Sequence, residues 1–294
     1  MTPLLIGVAA AVLAASFYNA GVAVQSLDAR RSPSHRALRA SLLAGLATRR
    51  RWLLGTLLVT LGWTLQAAAL LVAPLTVVQP ALAAGLLLLL VIGSRILDEH
   101  VGRREIAATA AICVGLVGLA ATAPEHTATR GTSAEIALSL TAIGVAALLP
   151  YLLTRLGRRP GMSVVLSSGL AYAWCGIATK LLADAVGTGA WGHAVLWALA
   201  TAAAAGIGLL SEMTALQTRP ATRVAPVVLV VDITVAVAFA AAVVGERWGV
   251  TPLGGAVLLV TVGLVTVGAG VLAASPAVAA ATHAETAHAR SGDA

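Results

Sequence analysis

Residues 73–118 read APLTVVQPALAAGLLLLLVIGSRILDEHVGRREIAATAAICVGLVG, and the reading of this stretch decides the fold. Two prolines six residues apart, Pro74 and Pro80, lead into a long apolar run that closes at Glu99. Gly102 follows, and a second apolar run then begins, carrying Gly115. The pattern returns once. Pro220 and Pro226 are again six residues apart, their run closes at Glu246, and Gly249 and Gly263 follow as Gly102 and Gly115 do in the first copy. The spacing drifts by a residue, which makes this a weak self-similarity of the kind that internally duplicated membrane proteins carry.

Outward from that stretch, the chain stays apolar. Of 294 residues, 59% are hydrophobic and only 11% are charged, and the mean hydropathy is +0.93. A soluble domain is about 45–50% apolar, so the composition points to an all-α, polytopic integral membrane protein. The formal net charge of +7 does not imply nucleic-acid binding, because the basic residues fall in short loops between apolar runs instead of gathering on one face. Cys113 and Cys175 lie inside apolar runs without a CxxC or a nearby histidine, which indicates neither a disulfide framework nor a metal site.

A hydrocarbon core of about 30 Å needs about 20 apolar residues per helix. Nine segments meet or approach that length: 3–24, 52–73, 75–97, 106–123, 135–154, 162–183, 191–211, 224–244 and 252–274. The first is not read as a signal peptide, since its positive cluster follows the apolar run. Between the first two lies a basic loop, 25–51, whose apolar part, Ala40 to Ala47, is too short to span and leaves room for an interfacial helix. Residues 275–294 are rich in Ala, Thr and His and are expected to form a disordered tail.

Orientation follows from the basic residues. With the N-terminus outside, sixteen of the nineteen lysines and arginines fall on the cytoplasmic side, leaving only Arg130, Lys180 and Arg247 outside. The C-terminus is then cytoplasmic. Segments 2, 3 and 4 match segments 7, 8 and 9, a shift of five, and an odd shift inverts the second copy in the membrane. The expected organisation is a first repeat of four helices over 1–124, a second repeat of five helices over 133–274, and the tail.

The AP-x-x-x-V-x-P stretch at Ala73–Pro80, the closing Glu99, the glycine-rich helix running to Pro124 and the Trp-x-x-Gly start of segment 2 at Trp52–Gly55 resemble the drug/metabolite transporter superfamily. The resemblance covers the chain to about residue 274. Within it, nine spans, an external N-terminus and the basic first loop are similar to the NIPA-like branch, while EamA-like exporters usually have ten spans. The resemblance implies alternating-access transport of a small solute across the cell membrane, with magnesium as the alternative cargo. A non-transporting scaffold or accessory subunit is the alternative from another class.

Asp232, in VVLVVDITVAV, is read as the one acidic residue near the middle of a span, where a charge costs on the order of 2.5–3.5 kcal/mol on insertion scales. A proton-coupling or cation-binding carboxylate is the functional reading, and a carboxyl that fastens two helices is the structural one. Gln79, Gln66 and Asn19 are candidates for the same cavity, with interhelical hydrogen bonding as their ordinary alternative. Tyr151, Tyr172 and Trp174 are candidate aromatic walls. Pro80 and Pro226 each remove a backbone donor and could hinge their helices, and Glu99 and Glu246 could gate the two faces. There is no Walker loop and no catalytic triad pattern, so neither ATP-driven transport nor an enzyme is expected, and no cofactor is implied. The expected partners are the lipid bilayer and a small-molecule or cation substrate; nucleic acid is not one, and a homodimer is compatible with the pattern. A reporter fused after Arg51 is expected to read cytoplasmic, and an external signal would overturn the nine-span topology.

Overall fold

The computed structural model describes residues 3–72, 85–97, 101–122, 133–157, 161–243 and 256–274. Pro74, Gln79, Pro80, Glu99, Glu246 and the 275–294 tail lie outside the described residues. Among those that are described, every regular element is helical. The helices are α1 (Pro3–Arg30), α2 (Ala40–Ala47), α3 (Arg50–Val72), α4 (Gly85–Ile96), α5 (Arg103–Thr122), α6 (Ser133–Arg155), α7 (Met162–Gly187), α8 (Trp191–Leu216), α9 (Ala221–Val243) and α10 (Ala256–Ala274). Four stretches, Ala9–Arg30 in α1, Ala134–Arg155 in α6, Met162–Thr179 in α7 and Trp191–Leu216 in α8, are long and apolar enough to cross a membrane.

The outer surfaces of these helices suit hydrocarbon. Leu138 and Val145 of α6 and Val195, Leu196 and Leu199 of α8 are all at least 60% exposed, and in water such surface would be costly. Exposed hydroxyls are satisfied without solvent. Thr60 donates to the carbonyl of Thr56, Thr64 to that of Thr60 and Thr141 to that of Ala137, each at 2.7–2.9 Å. Turning a hydroxyl back onto its own helix removes a donor that lipid could not satisfy.

Where lipid tails match the side chains in polarity, helices associate through close van der Waals packing, and small residues decide which pairs approach. Helices α1 and α3 pack along most of their length. A Cβ on Gly21 would stand 2.6 Å from the Gly55 carbonyl oxygen, and one on Gly62 would stand 3.0 Å from the backbone nitrogen of Tyr18. Helices α7 and α8 form a second tight pair, in which the Tyr172 ring occupies the space beside Gly208. Each pair takes on a further helix: α4 packs on α1 through Gly85 against Ala15, and α9 packs on α7 through Gly169 against Val231. Helices α5 and α10 pair with each other, and α6 lies chiefly against α7.

Two helices run furthest past the ends expected from sequence. Helix α1 runs to Arg30, six residues beyond the expected end, because Gln25, Ser26 and Asp28 are buried at 5% exposure or less and stay within the protein. Helix α8 runs to Leu216 rather than 211 for the same reason: its last six residues are all buried.

Gly21→Val is expected to destabilise the protein by about 1–3 kcal/mol, because the added side chain meets backbone that cannot rotate away. Gly176→Ala, with open space at its Cβ, should be close to neutral. Thermal unfolding in detergent compares the two, and equal midpoints would refute the seam.

Candidate functional site

A buried hydrogen-bond pathway joins α6, α7 and α8. Ser168 Oγ donates to the Gly208 carbonyl at 3.0 Å. Ser211 Oγ lies 3.1 Å from Ser167 Oγ and 3.0 Å from Tyr151 Oη, and Tyr151 also donates to the Ile207 carbonyl at 3.3 Å. Trp174 Nε1–H donates to the Leu140 carbonyl at 2.8 Å, and its ring lies 6.5 Å from that of Trp197. Tyr151 and Trp174, candidate aromatic walls from sequence, therefore act as fasteners of α6, α7 and α8.

Tyr172 has a different partner. Its hydroxyl donates to Glu212 Oε2 at 2.7 Å. Glu212 is 2% exposed, and its other oxygen, Oε1, has no hydrogen-bond partner among the described residues. No basic side chain pairs with it among the described residues. Tyr18 of α1 lies within electrostatic reach of both Glu212 and Asp232 of α9. Cys175, one turn from Tyr172 on α7, lies within reach of Asp232. Helices α1, α7, α8 and α9 thus bring two carboxyls and two tyrosines into one polar cluster inside an apolar bundle.

Asp232 lies beside this cluster, half-buried and without a hydrogen bond among the described residues. Asn19 does not join it visibly: its amide donates to the Ala15 carbonyl at 2.8 Å, its side chain lies against Gly85 of α4, and its Oδ1 is buried without a partner. Gln66 is half-buried in α3. Pro226 lies buried six residues into α9. Gln79, Pro80, Glu99 and Glu246 fall outside the described residues.

Glu212 is the residue that sequence reading missed, since counting Asp232 as the one acidic group deep in a span left it out. The expected segment ended at 211, one residue short. A signal was present: Glu212 stands eight residues before Pro220, and Gln66 stands eight before Pro74.

A buried ion pair joins the starts of α5 and α9. Arg223, in the first turn of α9, donates to Glu105 Oε1 at 3.2 Å, with both side chains under 8% exposed. Glu105 is the third residue of α5, and its Oε2 accepts the Gly102 N–H at 3.0 Å. A glutamate at that position reaches back to satisfy the helix start and favours the positive end of the helix dipole. Nearby, Arg219 donates to the Gly161 carbonyl at 2.9 Å, and burial pushes its guanidinium down from the usual arginine range.

The basic loop closes over this end. Leu42 and Leu46 of α2 are at most 1% exposed, so the short helix expected at the interface turns its apolar side into the protein, against α8. Leu38 just before it has φ 55°, the only non-glycine positive φ among the described residues. That conformation costs an ordinary side chain roughly 1–2 kcal/mol.

No protein-family model, curated protein or solved structure matches the chain.

Glu105→Gln should destabilise the fold by roughly 3 kcal/mol or more, because it removes the charge of one member of a buried ion pair. Adding Arg223→Met should restore most of the loss. Denaturation of the single and double variants checks this, and a double variant no better than the single one would refute a coupled pair.

Proposed function

We propose that the protein is a secondary transporter of the drug/metabolite transporter superfamily, moving a small solute across the cell membrane by alternating access. The observation that carries the reading is the convergence of Glu212 and Asp232 on Tyr18, deep in an apolar bundle and without a basic partner among the described residues. A carboxyl in such surroundings carries a proton or a bound cation, since an isolated charge is expensive there. Exchanging one for the other is the elementary step of proton-coupled transport.

The packing supports two inverted repeats. Helices α1, α3, α4 and α5 correspond in order to α7, α8, α9 and α10. Tyr18 meets Gly62 in the first set as Tyr172 meets Gly208 in the second, and the Ala15–Gly85 approach has its counterpart in Gly169–Val231. Two such halves around a shared site are what alternating access uses. Nine spans, an external N-terminus and a cytoplasmic C-terminus follow from the charge distribution.

NIPA-like magnesium movement is the second reading, because Glu212 adds a second carboxyl to Asp232 and magnesium is commonly held by one or two carboxylates with retained waters. A non-transporting scaffold would need no exchangeable charge in its centre.

Reconstitution in liposomes under a proton gradient tests these readings with magnesium in one arm and a panel of small metabolites and amines in the other. The wild type is expected to carry flux that depends on the gradient. Glu212→Gln and Asp232→Asn are each expected to reduce the flux at least tenfold or to remove its pH dependence. Flux unaltered in both variants would exclude the carboxyls from the mechanism, and no flux in any arm would favour the scaffold.

A further inference from the structure

The segment between α1 and α3 is covalently part of the tight α1/α3 pair, and Arg49 ties its far end back to that pair through the Asp28 carboxylate at 3.6 Å and the Asp28 carbonyl at 2.9 Å. Other polar contacts of the segment and of the start of α3 cross to α8 and to the turn after it. Leu38 N–H donates to Thr214 Oγ1 at 3.0 Å, and Trp52 Nε1–H, at the start of α3, donates to Met213 Sδ at 3.3 Å. Gln217 Nε2 donates to the carbonyls of Ser32 at 3.3 Å and Pro33 at 3.1 Å. Leu42 and Leu46 fill the space beneath. Met213 and Thr214 of α8, which receive two of these contacts, directly follow Glu212, and Gln217 caps the same helix end.

We propose that residues 31–49 form a latch that closes the basic end of the bundle by holding the α1/α3 pair to the last turn of α8, and that it lets go when Glu212 leaves Tyr172. Three features make it releasable. Its crossing polar contacts are single neutral hydrogen bonds rather than ion pairs. Leu38 is held in a left-handed conformation that leucine rarely adopts, so release relaxes the backbone. The α8 turn it grips carries a carboxyl with one buried oxygen unpartnered, so the arrival of a ligand rearranges that turn. The groups facing Glu212 are Tyr172 from α7 and Tyr18 from α1, with Asp232 of α9 reached through Tyr18; α2 brings no titratable side chain to it. In the orientation proposed above, the latch is the cytoplasmic gate. Its role in transport rests on that reading, but its opening is a matter of accessibility and can be measured without any flux.

Cys175, 5% exposed and beside the polar cluster, is a native reporter once Cys113→Ala removes the other cysteine of the chain. Thr214→Val with Gln217→Leu removes the side chains that bind the Leu38 N–H and the two carbonyls while keeping volume. A membrane-impermeant maleimide applied to one face of sealed vesicles at a time is expected to label Cys175 at least tenfold faster in this variant from the face carrying Arg51, and no faster from the other. An unchanged rate, or an equal rise from both faces, overturns the latch. Hydrogen exchange over residues 31–49 provides a test that leaves the latch sequence intact: Glu212→Gln is expected to change its rate severalfold relative to the wild type. Identical exchange in the two proteins would break the link to Glu212. Failure of flux with a latch that opens in both tests would instead count against the transport reading alone.

Discussion

Hydrocarbon offers no hydrogen-bond partner, and this constraint governs every polar group inside the bundle. Thr60, Thr64 and Thr141 meet it locally by donating to the turn behind them. Ser167, Ser168 and Tyr151 meet it across helices, and in doing so they fix how α6, α7 and α8 sit against one another. Glu212 meets it only by half: one oxygen takes the Tyr172 hydroxyl and the other takes nothing. Glu212 Oε1 is one of six buried side-chain atoms without a partner among the described residues, and it sits beside the Tyr172 hydroxyl in the polar cluster, where a group from outside the chain can bind.

The same constraint separates the rigid parts from the movable ones. Glycine contacts at backbone distance, Gly21 with Gly55 and Gly62 with Tyr18, leave α1 and α3 no freedom to slide. The serine and tyrosine bonds give α7 and α8 comparable rigidity. Between the two pairs the connections are sparser: the latch residues on α8 with Leu42 and Leu46 beneath them, and Tyr18 facing the carboxyls. A structure that is stiff within each pair and lightly joined between them has its natural line of movement at the join, and both the carboxyl cluster and the latch lie on it.

Much of the framework was legible in the sequence. Apolar runs of span length placed the helices within a few residues, and a lone aspartate among valines marked Asp232, because a charge with no local partner stands out in such a run. Glu212 was hidden because SEMTAL reads as the polar fringe where a span ends, and its 2% exposure, with Tyr172 and Tyr18 against it, comes from helices distant in sequence. For the same reason α2 could be recognised as a short helix but not as a lid: eight apolar residues give no hint of which surface they will meet. The Glu105–Arg223 pair was equally invisible, since its members are 118 residues apart and each reads alone as an ordinary charge at a helix start.

The two proposed repeats differ in where they carry charge. Where the second half has Glu212 eight residues before its proline pair and Asp232 six after it, the first half has Gln66 and Leu86. Leu86 is 3% exposed and packs in the core, and Gln66 can donate or accept hydrogen bonds but cannot exchange a proton near neutrality. The shared features, the glycine seams and the tyrosine of each leading helix, serve packing, and so they are needed twice. The carboxyls serve charge, and two copies of a buried, uncompensated acid pair would double an expense that the fold bears once. Both therefore stand in the half whose α8 carries the latch, which places the titratable chemistry and the closure of the basic end on the same turn of helix.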